Sequence, residues 1–109
     1  MKIYTYEEIH TFAYQITNKK LKETKEILMR QDEYGISVAH CLAYNSNITK
    51  WSTSNKEVLM LQNRRGNSVA HKLADNHPTW KTEDIEILSL YSSQRKKSVE
   101  DILEEGGKI

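Results

Sequence analysis

The amino-acid sequence predicts an all-α fold, a short α-solenoid in which about four repeat units stack helix pair against helix pair. The first observation behind this prediction is an internal repeat: residues 27–43 return without a gap as residues 58–74, so that His71 follows His40 by 31 residues. The second is the spacing of apolar residues at i, i+3 and i+4 within each copy, which is typical of one helical face. A period of about 30 residues indicates stacked units rather than a single closed core.

The chain is predicted to form a single domain with units of unequal regularity. The approximate boundaries are 1–31, 32–62, 63–92 and 93–109. In the last unit, Lys96 replaces the glycine and Asp101 replaces the histidine of the two central units. The first unit matches only over a short stretch in which His10 aligns with His40. Degenerate ends are expected because a terminal unit lacks a neighbour on one side and must expose that face to water.

Each unit is predicted to contain two helices, of which the first carries the clearer signals. Thr5 and Glu8 have the spacing of a capping box. Ser37 and Ser68 are favourable N-caps in the central units, because a serine hydroxyl accepts a hydrogen bond from a free amide of the first helical turn. The predicted buried faces consist of Ile9, Phe12, Ala13 and Ile16; Ala39, Leu42 and Ala43; Ala70, Leu73 and Ala74; and Val99, Ile102 and Leu103.

The second helix of each central unit is predicted to begin near Thr53 or Thr82, each two residues after a tryptophan. Ser54 and Glu57 have the spacing of a second capping box. A tight turn, which contains the glycine of the repeat, then leads to the next unit. We expect this glycine to adopt a positive φ, which other residues rarely do.

The turn and the first helix carry a recognisable motif. From Asp32 to Ala43 the chain reads D-x-x-G-x-S-V-A-H-x-L-A, and residues 63–74 repeat this pattern with Asn63 in the first place. The motif resembles the ankyrin-repeat signature D-x-x-G-x-T-P-L-H-x-A-A. The resemblance implies helix pairs stacked side by side, protein–protein recognition as the usual role and no catalytic residues. The chain differs from the family in a longer interval between the two helices, which contains the tryptophan.

Composition narrows the classes of function. The net charge is +1, so no overall field attracts nucleic acid or membrane surfaces. No apolar run approaches the roughly 20 residues of a membrane span, and the first residues do not resemble a signal peptide. The single cysteine, Cys41, excludes an internal disulfide and indicates a cytoplasmic location. We expect no cofactor and no membrane association.

The histidines and Cys41 are the candidates for a catalytic or metal site, and we predict that they form none. His10, His40 and His71 align at one repeat position, and equivalent residues of stacked helices lie about 8–10 Å apart, whereas zinc ligands lie about 2 Å from one ion. Each imidazole is expected to bond the capping serine and nearby backbone. Cys41 is predicted to be exposed, because Lys72 takes its place in the next unit. We therefore expect a protein that is not an enzyme.

Binding residues of a repeat protein lie where the framework leaves the residue type free. The candidates on the first helices are Tyr44, Lys72 and Asp75, and those in the turns are Tyr34, Arg64, Arg65, Arg95, Lys96 and Lys97. We call the last five of these the basic turn row. This row could meet an acidic protein or a phosphate backbone.

Three hypotheses for function follow from these features. The leading one is a non-enzymatic interaction module, an inhibitor or adaptor that binds a protein partner not identified by the sequence. The alternative is nucleic-acid binding through the basic turn row, which predicts a steep loss of affinity with salt. A third hypothesis is self-association, since Val99, Ile102 and Leu103 need cover at the last unit and a two-fold homodimer would provide it.

Overall fold

The structure, a computed structural model, describes residues 2–105. The helices of that range are α1 (Tyr6–Thr17), α2 (Lys25–Leu28), α3 (Val38–Tyr44), α4 (Ser46–Thr49), α5 (Lys56–Leu59), α6 (Val69–Asn76), α7 (Ile85–Leu88) and α8 (Val99–Glu104), and the strands are β1 (Tyr91–Ser92) and β2 (Lys97–Ser98). The radius of gyration is 13.0 Å, close to the value of about 13 Å for a globular chain of about 100 residues. The described chain is therefore compact and mostly helical.

The longer helices pack in chain order. Helix α1 contacts α3, α3 contacts α6, and α6 contacts α8. The one-turn helices α2, α5 and α7 each pack against the longer helix that follows, namely α3, α6 and α8. The core between these helices contains most of the predicted apolar faces, including Ile9, Leu42, Leu73 and Ile102. Phe12 and Leu103 are only partly buried against it.

The second helices are shorter and begin later than predicted. Helix α5 begins at Lys56 with Asn55 as its N-cap, and α7 begins at Ile85 with Asp84 as its N-cap. The predicted capping box of Ser54 and Glu57 is therefore wrong. The reason is local: the hydroxyls of Thr53 and Thr82 accept hydrogen bonds from the amides of Asn55 and Asp84, which places each threonine in the turn before the helix.

The prediction of an all-α chain is wrong at the last turn. Strands β1 and β2 pair antiparallel there, with Tyr91 opposite Ser98 and Ser92 opposite Lys97. The amide of Lys96 donates to the carbonyl of Ser92 at 2.7 Å and closes the turn between them. Single antiparallel bridges occupy the corresponding places before α3 and α6. The extended residues on both sides of each turn are close enough to pair, a tertiary contact that helical periodicity does not reveal.

The turns adopt the backbone conformation that the repeat predicts. Gly35 and Gly66 have φ of +77° and +84°. Lys96, which replaces glycine in the last turn, has φ of +57°. The three turns thus share one left-handed position, and in the last turn a residue with a side chain occupies it at a cost of about 1 kcal/mol or more.

Every longer helix begins with a capping box. Thr5 and Glu8 form the box of α1, and Ser98 and Asp101 form the box of α8. In α3 the backbone amide of His40 donates to Ser37 Oγ at 3.0 Å, while His40 Nδ1 accepts from the Ser37 amide at 3.1 Å. Ser68 and His71 make the same contacts in α6. The prediction that these two histidines bond the capping serine is confirmed.

Each of these imidazoles also reaches the next unit. Because Nδ1 accepts a backbone N–H, the neutral ring carries its proton on Nε2, which donates to a carbonyl. His40 Nε2 lies 3.0 Å from the Asn67 oxygen, and His71 Nε2 lies 3.2 Å from the Lys97 oxygen. Burial lowers the pKa of His40 to about 4, and burial also lowers the pKa of His71. Both rings are therefore neutral links between one helix and the following turn.

Replacing Gly35 or Gly66 by alanine is expected to lower the free energy of unfolding by about 1–3 kcal/mol, the cost of backbone strain at such positions. An added Cβ would lie 3.0 Å from Asn63 Cα in the first turn and 2.9 Å from the Ser93 nitrogen in the second. Urea denaturation monitored by circular dichroism measures the change. Lys96→Ala is the matched control, because the same backbone position already bears a Cβ. Glycine variants as stable as this control would contradict the prediction.

Acidification is expected to destabilise the protein before its carboxylates titrate. The unfolded chain binds a proton at His40 near the ordinary pKa of about 6.5, whereas the folded chain does so only at about 4. The unfolded state thus holds more protons between these two pKa values, so stability falls with falling pH, by roughly 2 kcal/mol for this group between about pH 7 and about pH 5. His71 acts in the same direction because its pKa is also lowered.

Urea denaturation between about pH 5 and about pH 7 measures this dependence. His40→Gln keeps a residue that suits a capping box but does not titrate, so its pH slope should be smaller than that of the wild type. The matched control is Asn47→Gln, which changes an exposed residue and no titratable group, so its pH slope should equal that of the wild type. An equal slope in the wild type and His40→Gln would refute the prediction.

Candidate interaction groove

A groove of about 500 Å³ opens between the turns and the longer helices. Five of the nine predicted interaction residues line it: Tyr34, Tyr44, Arg64, Arg65 and Lys72. The turns supply the rim, and side chains of α3 and α6, which include Tyr44 and Lys72, supply the floor. We call this feature the interaction groove. The structure thus brings together residues from two consecutive units that lie about 30 positions apart in the chain.

Backbone hydrogen bonds hold the rim in place. The amide of Arg64 donates to the Tyr34 carbonyl at 3.0 Å, and the amide of Gln94 donates to the Arg65 carbonyl at 3.1 Å. Ser93 Oγ also donates to the Arg65 carbonyl at 3.0 Å. These bonds use only main-chain groups of Tyr34, Arg64 and Arg65, whose side chains are exposed. The rim therefore presents side chains from a fixed backbone.

Lys72 occupies the floor of the groove. The side chain is half-buried, and Nζ lies 5.7 Å from the centre of the Tyr44 ring, within range of a cation–π contact. Burial lowers the pKa of Lys72, and the positive charges of Arg95 and Arg65 lower it further. The half-buried ammonium group of Lys72 thus lies in the positive field of two arginines.

The other four predicted residues do not line the groove. Arg95 forms a two-pronged ion pair with Asp75, whose second contact measures 3.1 Å between Nη2 and Oδ1. Lys97 pairs with Glu105 at 2.7 Å, and Lys96 is exposed at its turn position. The basic turn row is therefore divided, because two of its five cations are neutralised by carboxylates of the same chain. Within residues 2–105, neither Arg64 nor Arg65 forms such a pair.

Sequence reasoning missed the contribution of α1 to the groove. Tyr6 and His10 both line it, and their rings lie 4.1 Å apart. The alignment of His10 with His40 is wrong, because Glu8 holds the capping position in α1 and His10 is exposed. The spacing of Tyr6, His10 and Tyr14 at i, i+4 and i+8, in a stripe beside the apolar face, was the available signal.

Cys41 lies beneath the groove rather than at the surface. Only 7% of its surface is exposed, so the prediction of an exposed residue is wrong. Its Sγ lies 3.8 Å from His10 Nε2, a contact with the preceding unit that the repeat comparison with Lys72 could not reveal. Burial raises the pKa of the Cys41 thiol to about 11, so the sulfur stays protonated at neutral pH.

Metal binding, membrane spanning and self-association were the other properties to be checked in the described chain. No three histidine, cysteine or carboxylate side chains within residues 2–105 are grouped closely enough to hold a metal ion. None of the helices in that range is long and apolar enough to cross a bilayer. Val99 and Ile102 are already buried within the single chain, so of the three residues that suggested a dimer only Leu103 remains partly exposed.

No family model, no curated protein and no solved structure matches the chain.

Proposed function

We propose that this chain is a short ankyrin-like α-solenoid of about four units that binds a protein partner through the interaction groove, without catalysing a reaction. The proposal includes a cytoplasmic location, because Cys41 is the single cysteine of the sequence and unpaired thiols are typical of reducing compartments. It also treats the monomer as sufficient for binding, because the groove is formed within one chain.

Contacts that recur at the period of the repeat support the solenoid. The bond from His40 to the Asn67 carbonyl returns as the bond from His71 to the Lys97 carbonyl. Lys25 pairs with Glu57, and Lys56 pairs in the same way with Glu86 one unit later. Each contact joins one unit to the next, which is the nearest-neighbour pattern of a repeat protein.

The observation that carries the binding proposal is the residue content of the groove. Tyrosine and arginine are the residue types that most often dominate binding energy at protein interfaces. Here Tyr34, Arg64 and Arg65 project from turns whose backbones are hydrogen-bonded to a neighbouring turn, and Tyr44 projects from the end of α3. Little ordering is needed on binding, so more of the contact energy remains as affinity.

Nucleic-acid binding has weaker support. The net charge is +1, and Arg95 and Lys97 are paired with carboxylates of the same chain. A phosphate backbone would have to compete with both of these pairs for the basic turn row. The cations left for it are Arg64, Arg65, Lys72 and Lys96, and they do not form one continuous row because Lys96 lies outside the groove.

We expect the double variant Arg64→Glu and Arg65→Glu to lose a protein partner that the wild type captures from a lysate of the native host. Both side chains are exposed, so the variant should keep its fold. Reversal of two rim charges is expected to reduce capture about ten-fold or more, which corresponds to at least about 1.4 kcal/mol. Quantitative mass spectrometry of the eluates measures the ratio.

The matched control is the double variant Lys20→Glu and Lys22→Glu, which makes the same change of charge at exposed residues outside the groove. This control should retain the partner. Circular dichroism and thermal denaturation should show equal folding of all three proteins. If all three capture the same proteins to the same extent, the groove is not the binding site. If none captures any, the proposal of a stably bound protein partner is wrong.

A further inference from the structure

We propose that the partner segment bound by this protein is an acidic polypeptide stretch with an apolar end. Its carboxylates pair with Arg64, Arg65 and Lys72, and its apolar residues pack beside Tyr14 and Ile48. This inference rests on the proposed function and adds the chemistry of the occupant. Two observations support it. The interaction groove is lined by cations, and an adjoining hollow is lined by uncharged residues.

The first step is the charge of the interaction groove. Among residues 2–105, Arg64, Arg65 and Lys72 line it, and no aspartate or glutamate of that range does. The nearby Asp32 is buried beneath the first turn, where its Oδ1 accepts the amides of Tyr34 and Ile36 at 2.9 and 3.0 Å. Asp75 is held by Arg95 outside the groove. The groove therefore presents positive charge that the described part of the chain does not neutralise, and an occupant with carboxylates would balance it.

The second step is a neighbouring hollow of about 570 Å³ between α1 and the α3–α4 segment. It shares His10, Cys41 and Asn45 with the interaction groove, so the two form one continuous surface. Its lining includes Tyr14 and Ile48, and no aspartate, glutamate, lysine or arginine from the described part of the chain lines it. We call it the uncharged hollow.

The third step is the concentration of exposed apolar side chains on this surface. Within the described chain, eight large hydrophobic residues are exposed. Three of them, Tyr6, Tyr34 and Tyr44, line the interaction groove, and Tyr14 and Ile48 line the uncharged hollow. Ile48 is 78% exposed and shares the uncharged hollow with Tyr14, so the two belong to a clustered apolar surface of the kind that marks interaction sites. The surface thus has a cationic end and an apolar end.

A polypeptide fits this division better than a nucleic acid. A nucleic acid carries evenly spaced phosphates and would bring negative charge to the uncharged hollow as well as to the groove. A polypeptide can place carboxylates and aliphatic groups at opposite ends of one segment. Tyrosines on both parts offer contact area with few bonds to immobilise.

Selection from a phage-displayed library of random peptides of about twelve residues tests the inference. Wild-type protein is the target, and the groove variant with Arg64→Glu and Arg65→Glu and the control with Lys20→Glu and Lys22→Glu are run beside it. We expect peptides enriched in aspartate or glutamate near one end and in aliphatic or aromatic residues near the other. The control should select the same class of peptide, and the groove variant should not.

Synthetic versions of the selected peptides then allow a charge-swap measurement by fluorescence polarisation. The groove variant should bind them about ten-fold or more weakly than the wild type, and it should regain affinity when their acidic residues are replaced by lysine. The double variant Tyr14→Ala and Ile48→Ala should weaken binding of the original peptides without changing the preference for acidic residues. Failure of the swap to restore affinity would overturn the pairing with Arg64 and Arg65.

The outcomes separate this inference from the proposed function. Selected peptides that depend on the groove but lack acidic enrichment would overturn the inference and leave the binding module intact. Absence of any groove-dependent peptide, together with lysate capture that ignores the groove, would overturn both. A mixed-sequence oligonucleotide, tested with the same proteins, provides the last outcome. If the oligonucleotide binds the wild type but not the groove variant, and no acidic peptide is enriched, the occupant of the groove is a nucleic acid and not a polypeptide.

Discussion

Two buried histidines each join the start of one longer helix to the turn before the next longer helix, through hydrogen bonds made by both ring nitrogens. In each, Nδ1 accepts from the N-capping serine, so the ring proton lies on Nε2 and points to a carbonyl of the following turn. One side chain thus begins a helix and sets its distance from the next turn. A second ring proton would face the serine N–H, so this packing requires the neutral imidazole.

The first and last longer helices have a carboxylate in the place of the capping histidine. Glu8 and Asp101 close the capping boxes of the first and last longer helices, but each contacts only its own helix start. At the first unit, a backbone bond from Tyr4 to the Gln31 carbonyl ties the segment before α1 to the end of the unit. At the last unit, Asp101 has no further turn to reach within the described residues, so a short carboxylate suffices where a histidine would have no acceptor.

Fixed turns also account for the character of the interaction groove. Main-chain bonds between successive turns leave the side chains of Tyr34, Arg64 and Arg65 without a structural task. Ion pairs then determine which cations remain unpaired at this surface. Asp75 pairs with Arg95 and Glu105 pairs with Lys97, whereas Arg64 and Arg65 form no ion pair within the described residues. A row that is uniformly basic in the sequence becomes a localised cationic site in the folded chain.

The sequence by itself determined the capping serines of α3 and α6, the left-handed glycine positions, the bonding of His40 and His71 to those serines and most core positions, because these features depend on residues within about four positions of one another. The tertiary structure decided the burial of Cys41, the exposure of His10, the hairpin before α8 and the joining of Tyr6 with Arg64 in one groove. Each of these depends on contacts between units or across a turn, and periodicity within one unit carries no information about how closely the next unit packs.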